Sequence, residues 1–416
     1  MSQRILQVLL VGVALTVSVG GWAANAEAPA PRGQLSLQQA LRLLERSPWL
    51  EVDRASEGLA RAEVRGASAY PNPTLSYSGA LHAHGRDTFD GSVHQLMVEQ
   101  PVLLGGQRGA RLRAADASVR ASRARTEQSR HELAVELRRR FIEALAAEER
   151  TRILRRGAAD LERVTEVVRG RFEAGDRSEY DVIRIETALL TMNTNVAESD
   201  AEALAAAFDV AVLLGRADSA PRVIGDLLPL APAQLGGPAG AEHPAERMAA
   251  LSVDARRGAL EAARRERSLV PSIAAGVQST TRDYGSALVV GVALPLPLFD
   301  RAQGPIAQAS AEHHLASAEQ RAVRATLTTQ RARARHVLTK RREALLVFER
   351  EALPRAARIR ELAEESYRDG QTSVLELMDA LDTVRELRLE HLERRVAVKH
   401  AEIDVMAVAG TALAAR

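Results

Sequence analysis

The chain has 416 residues, 3% of them aromatic and none a cysteine, which excludes disulfides, thiolate metal sites, a cysteine nucleophile and lipidation through an N-terminal Cys. Its 56 Lys and Arg nearly balance 54 Asp and Glu, and the basic residues are interleaved with acidic ones rather than gathered into a block. That pattern reads as solvated helix faces and argues against a nucleic-acid partner, and the scarcity of aromatics leaves Ala, Leu and Val on long helices to build any core.

Arg4, an apolar run from Ile5 to about Val19, and Ala24-Asn25-Ala26 follow the order of a secretory signal, so residues 1–26 are expected to be a cleaved signal peptide. An uncleaved anchor is the competing reading; the A-x-A site and the following Pro29 and Pro31 favour cleavage. No later segment reaches the roughly 20 apolar residues of a membrane helix.

Residues 27–215 form a first unit. Ser36 is placed to cap a helix beginning LQQALRLLERS, and a second helix follows Pro48 to about Ala69. Pro71 and Pro73 stop it. In PTLSYSGALH, residues Leu75, Tyr77, Gly79 and Leu81 alternate with Thr74, Ser76, Ser78 and Ala80, the period of a strand, predicted at about 73–83. His84-Gly85-Arg86-Asp87 reads as a turn, and VHQLMVEQP returns as a strand at about 91–100. From about Gln107 the helical period runs to about Phe172, and a further helix follows Ser178.

Residues 216–243, rich in Pro and Gly, read as a joint with a small strand or turn near Val223-Ile224. The second unit, 244–416, opens with a helix to about 268, ended by Pro271. Strands at about 271–280 and 286–295 flank Arg282-Asp283-Tyr284-Gly285, with Leu288, Val290, Val292 and Leu294 on one face. Helix is expected over about 306–368, slackening near Pro354, and again over 373–410.

The chain is thus written twice. Aligning Gly175 on Gly370 also aligns Ser178 with Ser373 and Asp181 with Glu376. Pro101 falls on Pro295 and AVLLG (211–215) on AVAG (407–410) at nearly the same shift. A helix of about 60 residues is roughly 90 Å long, a rod that has to pack on other rods. Four strands cannot close a membrane barrel, whereas three chains pooling theirs would supply twelve of suitable length.

The segments YPNPTLSYSG, VEQPVLLGGQRGARLRAADA, RFEAGDRSEYDVIRIE and DGQTSVLELMDALDTV resemble the TolC-like outer-membrane efflux family over essentially the whole mature chain, and PVLLGGQRGARLRAA resembles its heavy-metal, CzcC-type branch. The resemblance implies a mainly α fold with a small transmembrane β part: a duplicated helix–β-hairpin–helix unit assembling into a trimeric twelve-stranded β-barrel plus a long α-helical barrel. It implies an outer-membrane location with the helical tunnel in the periplasm. The implied partners are two further copies, outer-membrane lipid, a periplasmic adaptor and an inner-membrane pump of RND type. Many members of this branch carry a lipidated N-terminal Cys, and that anchor is expected to be absent here.

Gly175 and Gly370 suit the left-handed position after a helix, and Ser178 and Ser373 suit N-caps followed by acidic residues. The resemblance adds that these turns are the periplasmic tips, with Arg171, Gly175, Asp176, Ser178 and Asp181 in one turn and Gly370, Thr372 and Ser373 in the other facing the adaptor. Glu376 and Asp379 stand at i and i+3 on one helix face. By the resemblance they match an acidic constriction, which threefold symmetry would turn into cation-attracting rings. Arg184 and Arg385 are candidate latching partners.

His82, His84 and His94 lie near the first hairpin turn and His313-His314 on a helix, without zinc-ligand spacing, and read as exposed polar positions rather than metal ligands. Gly105-Gly106-Gln107-Arg108-Gly109 lacks the Lys-Ser/Thr of a phosphate loop, and there is no G-x-S-x-G elbow. The reading is therefore passive conduction with no enzyme activity and no cofactor. The alternative is a periplasmic coiled-coil adaptor or scaffold, which would carry one helical hairpin flanked by compact β domains.

Overall fold

Residues 34–80, 92–176, 178–216, 220–229, 242–280 and 285–413 are described by the computed structural model. The expected signal segment, the first hairpin turn with His82 and His84, and part of the 216–243 joint lie outside them.

Thirteen elements follow one another among these residues: β1 (Gln34–Ser36), α1 (Leu37–Leu44), α2 (Pro48–Ser68), β2 (Thr74–Ala80), β3 (Val93–Pro101), α3 (Gln107–Glu173), α4 (Glu179–Leu213), β4 (Arg222–Ile224), α5 (Pro244–Glu266), β5 (Ser272–Thr280), β6 (Ser286–Ala293), α6 (Gln303–Arg368) and α7 (Val374–Ala409). Ser36 caps α1 in a reciprocal box with Gln39, and Pro48 and Pro244 occupy first helical positions, where a missing N–H costs nothing. Pro354 sits inside α6 without ending it.

With 67 residues, α3 spans roughly 100 Å. Its buried positions Ala110, Ala117, Ala124, His131, Arg138 and Leu145 recur every seven residues, the repeat that keeps one seam of a helix against its neighbours in a left-handed supercoil. Near one end α3 packs on α2 and α5; towards the other it packs on α4 and α7, while α6 packs on α5 and α7. A waist core gathers Leu44, Leu50, Leu137, Phe141, Val210, Leu345, Val398 and Ile403. The short parallel pair β1–β4 buries Leu35 and Val223 in that core, with Leu35 opposite Val223.

Backbone geometry makes the two units equivalent. α3 and α6 both start after a left-handed residue, Gly106 (φ 72°) and Ala302 (φ 59°). α4 and α7 both end at left-handed glycines, Gly215 and Gly410. A Cβ on Gly215 would come within 2.4 Å of Pro48 Cδ, and one on Gly410 within 3.1 Å of Pro244 Cδ, so each helix ends against the proline that opens another.

The long strands form one antiparallel sheet in the order β2-β3-β5-β6. Directly paired residues share a face. Leu75 pairs with Val98, Tyr77 with Leu96, Leu96 with Val277, Val277 with Leu288 and Ile273 with Val292. One face of the sheet therefore carries Leu75, Tyr77, Leu96, Val98, Ile273, Val277, Leu288, Val290 and Val292, every one exposed in the single chain and Leu288 78% so. The other is mixed but mainly small and polar: Thr74, Ser76, Ser78, Gln95, Glu99, Gln278 and Gly291 share it with Val93, Met97 and Val289. The outer edges, β2 and β6, have no strand partner among the described residues. No helix of the described residues is long and apolar enough to cross a membrane.

Candidate functional site at the helical tips

At the end of the rods remote from the sheet, α3 turns into α4 and α6 into α7. Both turns close in the same way. The N–H of Gly175 donates to the Phe172 carbonyl (2.9 Å) and that of Asp176 to the Arg171 carbonyl (2.8 Å). Gly370 donates to Tyr367 (3.2 Å) and Gln371 to Ser366 (2.8 Å). φ is +83° at Gly175 and +75° at Gly370, the conformation this helix-ending pair of bonds needs and that a Cβ penalises.

The next helices open on reciprocal caps. Ser178 Oγ accepts from the Asp181 N–H (3.3 Å), and the Asp181 carboxylate accepts from the Ser178 N–H (3.4 Å) and hydroxyl (3.0 Å). Ser373 Oγ accepts from the Glu376 N–H (3.3 Å), and Glu376 Oε2 accepts from the Ser373 N–H (2.9 Å). Both acidic side chains also sit where a helix N-terminus favours negative charge. One oxygen of Glu376 is thus engaged by the Ser373 N–H, a role its position in Ser-x-x-Glu already signals.

Gly175, Asp176, Ser178, Gly370 and Ser373 are exposed, Arg171, Asp181 and Thr372 half-buried. The Thr372 hydroxyl is enclosed and has no hydrogen-bond partner among the described residues. Glu376 and Asp379 lie on the exposed side of α7, opposite Val374, Leu377, Met378 and Leu381, which pack with Leu161, Val168 and Ile185 into the tip core.

The two tips touch each other. The Arg171 guanidinium lies 4.8 Å from the centre of the Tyr367 ring and donates to the carbonyls of Tyr367 (3.4 Å) and Arg368 (3.2 Å) at the end of α6. Two turns further back, Arg360 pairs with Asp160 on α3 (3.0 Å) and with Glu364 on its own helix (2.8 Å). Sequence reasoning placed Arg171 at a tip but missed Tyr367, Arg360 and Asp160, because the shift that superposes the glycines shows which residues are equivalent and not which ones touch. Arg184 and Arg385, the candidate latches, bond within their own helices in the single chain, to Tyr180 Oη (2.8 Å) and Asp382 (2.5 Å).

His94 lies in β3, its Nδ1 2.7 Å from Tyr77 Oη. His313 and His314 have ring centres 5.9 Å apart. Among the described residues no group of three or more His, Cys, Asp or Glu side chains is gathered as a metal site would be.

Rods of this length, duplicated, with a hairpin sheet apolar on one face at one end, are the architecture of an outer-membrane channel protomer. The chain belongs to the outer membrane efflux protein family, the TolC-like channels of the outer membrane, whose profile matches residues 40–216 and again residues 237–411. It is 28% identical over 374 residues to the cobalt-zinc-cadmium resistance protein CzcC of Cupriavidus metallidurans, covering 86% of each chain. It is 28% identical over 302 residues to the nickel-cobalt-cadmium resistance protein NccC of Alcaligenes xylosoxydans xylosoxydans, covering 70% of this chain and 66% of that one. The fold is that of CusC, a transmembrane channel (TM-score 0.73, 15% identity, 90% of this chain and 92% of that one), and of the outer-membrane channel OprN (TM-score 0.72, 19% identity, 96% and 98%). The family is one of transport channels, not of enzymes.

Proposed function

We propose that the chain is one third of a homotrimeric exit duct, which conducts substrate passively from an inner-membrane pump of RND type and a periplasmic adaptor to the exterior. The observation that carries this reading is the sheet: nine exposed apolar residues on one face, mainly small and polar residues on the other, and two outer edges with no strand partner among the described residues. An open edge in lipid leaves backbone groups unsatisfied at several kcal/mol each, so β6 of one copy pairs with β2 of the next, as β3 pairs with β5 within a chain, until twelve strands close. The apolar face then meets lipid and the polar face lines the pore.

In this reading residues 27–215 and 244–416 are two copies of one unit, joined by 216–243 and preceded by a signal segment, 1–26. The tips carrying Arg171, Gly175, Asp176, Ser178, Asp181, Gly370, Thr372 and Ser373 face the adaptor, and three copies of Glu376 and Asp379 ring the narrow end. Divalent heavy-metal cations are the proposed cargo, on the resistance functions that name CzcC and NccC and on the attraction of acidic rings for cations. Detergent-extracted full-length protein should run as a trimer that resists heating in mild detergent. A folded protein that stays monomeric and soluble without detergent would exclude the duct and favour a periplasmic scaffold.

A further inference from the structure

The internal repeat extends to contacts that a single chain leaves unmade. Within the chain, α7 of the second unit packs on α3 of the first, and Asp404 pairs with Arg139 across that seam (2.8 Å). The residue before Asp404 on α7, Ile403, is buried there at 3% exposure.

The first-unit counterpart of α7 is α4. Residues 209–215 (DVAVLLG) match 404–410 (DVMAVAG), each run ending at a left-handed glycine, so Asp209 stands for Asp404 and Phe208 for Ile403. The second-unit counterpart of α3 is α6. Gln107 and Gln303 both follow a left-handed residue, and buried His131, Arg138 and Ile142 fall on buried Leu327, Ala334 and Leu338 at one constant shift. That shift places Arg335 where Arg139 stands. Arg335 is exposed, Phe208 is 38% exposed where Ile403 is buried, and Asp209, 57% exposed at its side chain, has one distant ionic partner among the described residues, Arg140 at 3.6 Å.

We propose that α4 of each copy packs on α6 of its neighbour at the waist of the trimer, with Asp209 paired to the neighbouring copy's Arg335 and Phe208 buried beside it. The occupant of this face is a second copy of the chain, because both halves of the contact exist inside one chain in the same order and with the same charges. The proposal rests on the trimeric duct reading and names the seam that reading left unspecified. An exposed Arg–Asp pair adds little affinity alone; its work here is to fix the register of one long helix against another, where a slip of one turn would set Asp209 against the wrong residue. At the tips, where Gly175 and Gly370 set a shift one residue shorter, the counterparts yield no such pair: Ser366 stands where Arg171 does, and Thr165 where Arg360 does.

The test uses the absence of cysteine from the chain. The full-length double variant Asp209→Cys with Arg335→Cys, in membranes and treated with a short bismaleimide, should give covalent dimers and trimers on a denaturing gel. Each single variant should give none, and Arg139→Cys with Asp404→Cys should link within the chain and give no covalent oligomer. In a second series, Asp209→Arg alone and Arg335→Asp alone should lower the temperature at which the trimer dissociates, and the two combined should restore most of the loss. A protein of trimeric mass whose intrachain pair links while the 209/335 pair does not would overturn the seam and leave the duct intact. Losses that add in the combined charge swap would likewise overturn the pairing. A folded, monomeric wild type would bring down the duct reading and the seam with it.

Discussion

Arg171 holds Tyr367: its guanidinium packs 4.8 Å from the centre of the ring and donates to the last carbonyls of α6, so the tips of the two repeats are clamped within one chain. The planar cation does two jobs at once, covering an aromatic face and neutralising the negative end of a helix.

Arg171→Ala should therefore loosen the end of α6 by about 1 kcal/mol, a roughly fivefold loss of amide-exchange protection at Asp369 to Gln371. Arg171→Lys should restore little of it, since an ammonium lacks the planar fork. Unchanged protection in the alanine variant would show that the clamp contributes nothing to the tip.

The two helix-ending glycines of the waist differ in how tightly they are held. Gly215→Ala meets both a positive φ and Pro48 Cδ at 2.4 Å, whereas Gly410→Ala meets a positive φ with Pro244 Cδ at 3.1 Å. A left-handed alanine costs about 1 kcal/mol at either site, and overpacking adds about 1–3 kcal/mol at the first. Thermal unfolding should rank Gly215→Ala well below Gly410→Ala, and the reverse order would contradict the packing described for this joint.

Ala302 is the one non-glycine with positive φ among the described residues, and Gly106 fills the equivalent place in the first unit. Ala302→Gly should raise stability by roughly 1 kcal/mol and Gly106→Ala should lower it by a similar amount. A destabilised Ala302→Gly variant would mean that the start of α6 is not held left-handed.

Much of the fold was legible because its elements are long and strongly periodic. The long helical period of α3, the alternation in β2 and β6, and the glycine–serine turns each announce themselves over several residues. β1 did not, for three residues carry no period, and its pairing with β4 is fixed only by Leu35 and Val223 reaching the waist core. Ala302 was hidden because alanine does not mark a left-handed position as glycine does. At the tips, local chemistry predicted the caps at Ser178 and Ser373, whereas the clamp of Arg171 on Tyr367 joins residues far apart in the chain. The capping bond of Glu376 is written in Ser373-x-x-Glu376, a local signal that its charge alone does not carry.

Acid should weaken the waist. Burial holds the His131 imidazole below its ordinary value, against the opposing effect of its bond to the Ala407 carbonyl (2.9 Å), and burial likewise lowers His400. Such a group takes its proton first in the unfolded chain. Its contribution is full above the unfolded value of about 6.5 and is lost as pH falls through that value towards the folded one. The unfolding midpoint should fall between pH 7.5 and 5.5, and His131→Gln should shrink the drop; an equal drop in the variant would remove His131 from the account.

The most direct test of the duct and its acidic narrow end is single-channel conductance of the detergent-purified protein in a planar bilayer, comparing wild type with Glu376→Ala plus Asp379→Ala. The account predicts discrete, cation-selective pores whose selectivity or closed fraction changes in the variant. Pores identical in the two proteins would contradict the acidic ring, and folded protein that forms no pores would contradict the duct itself.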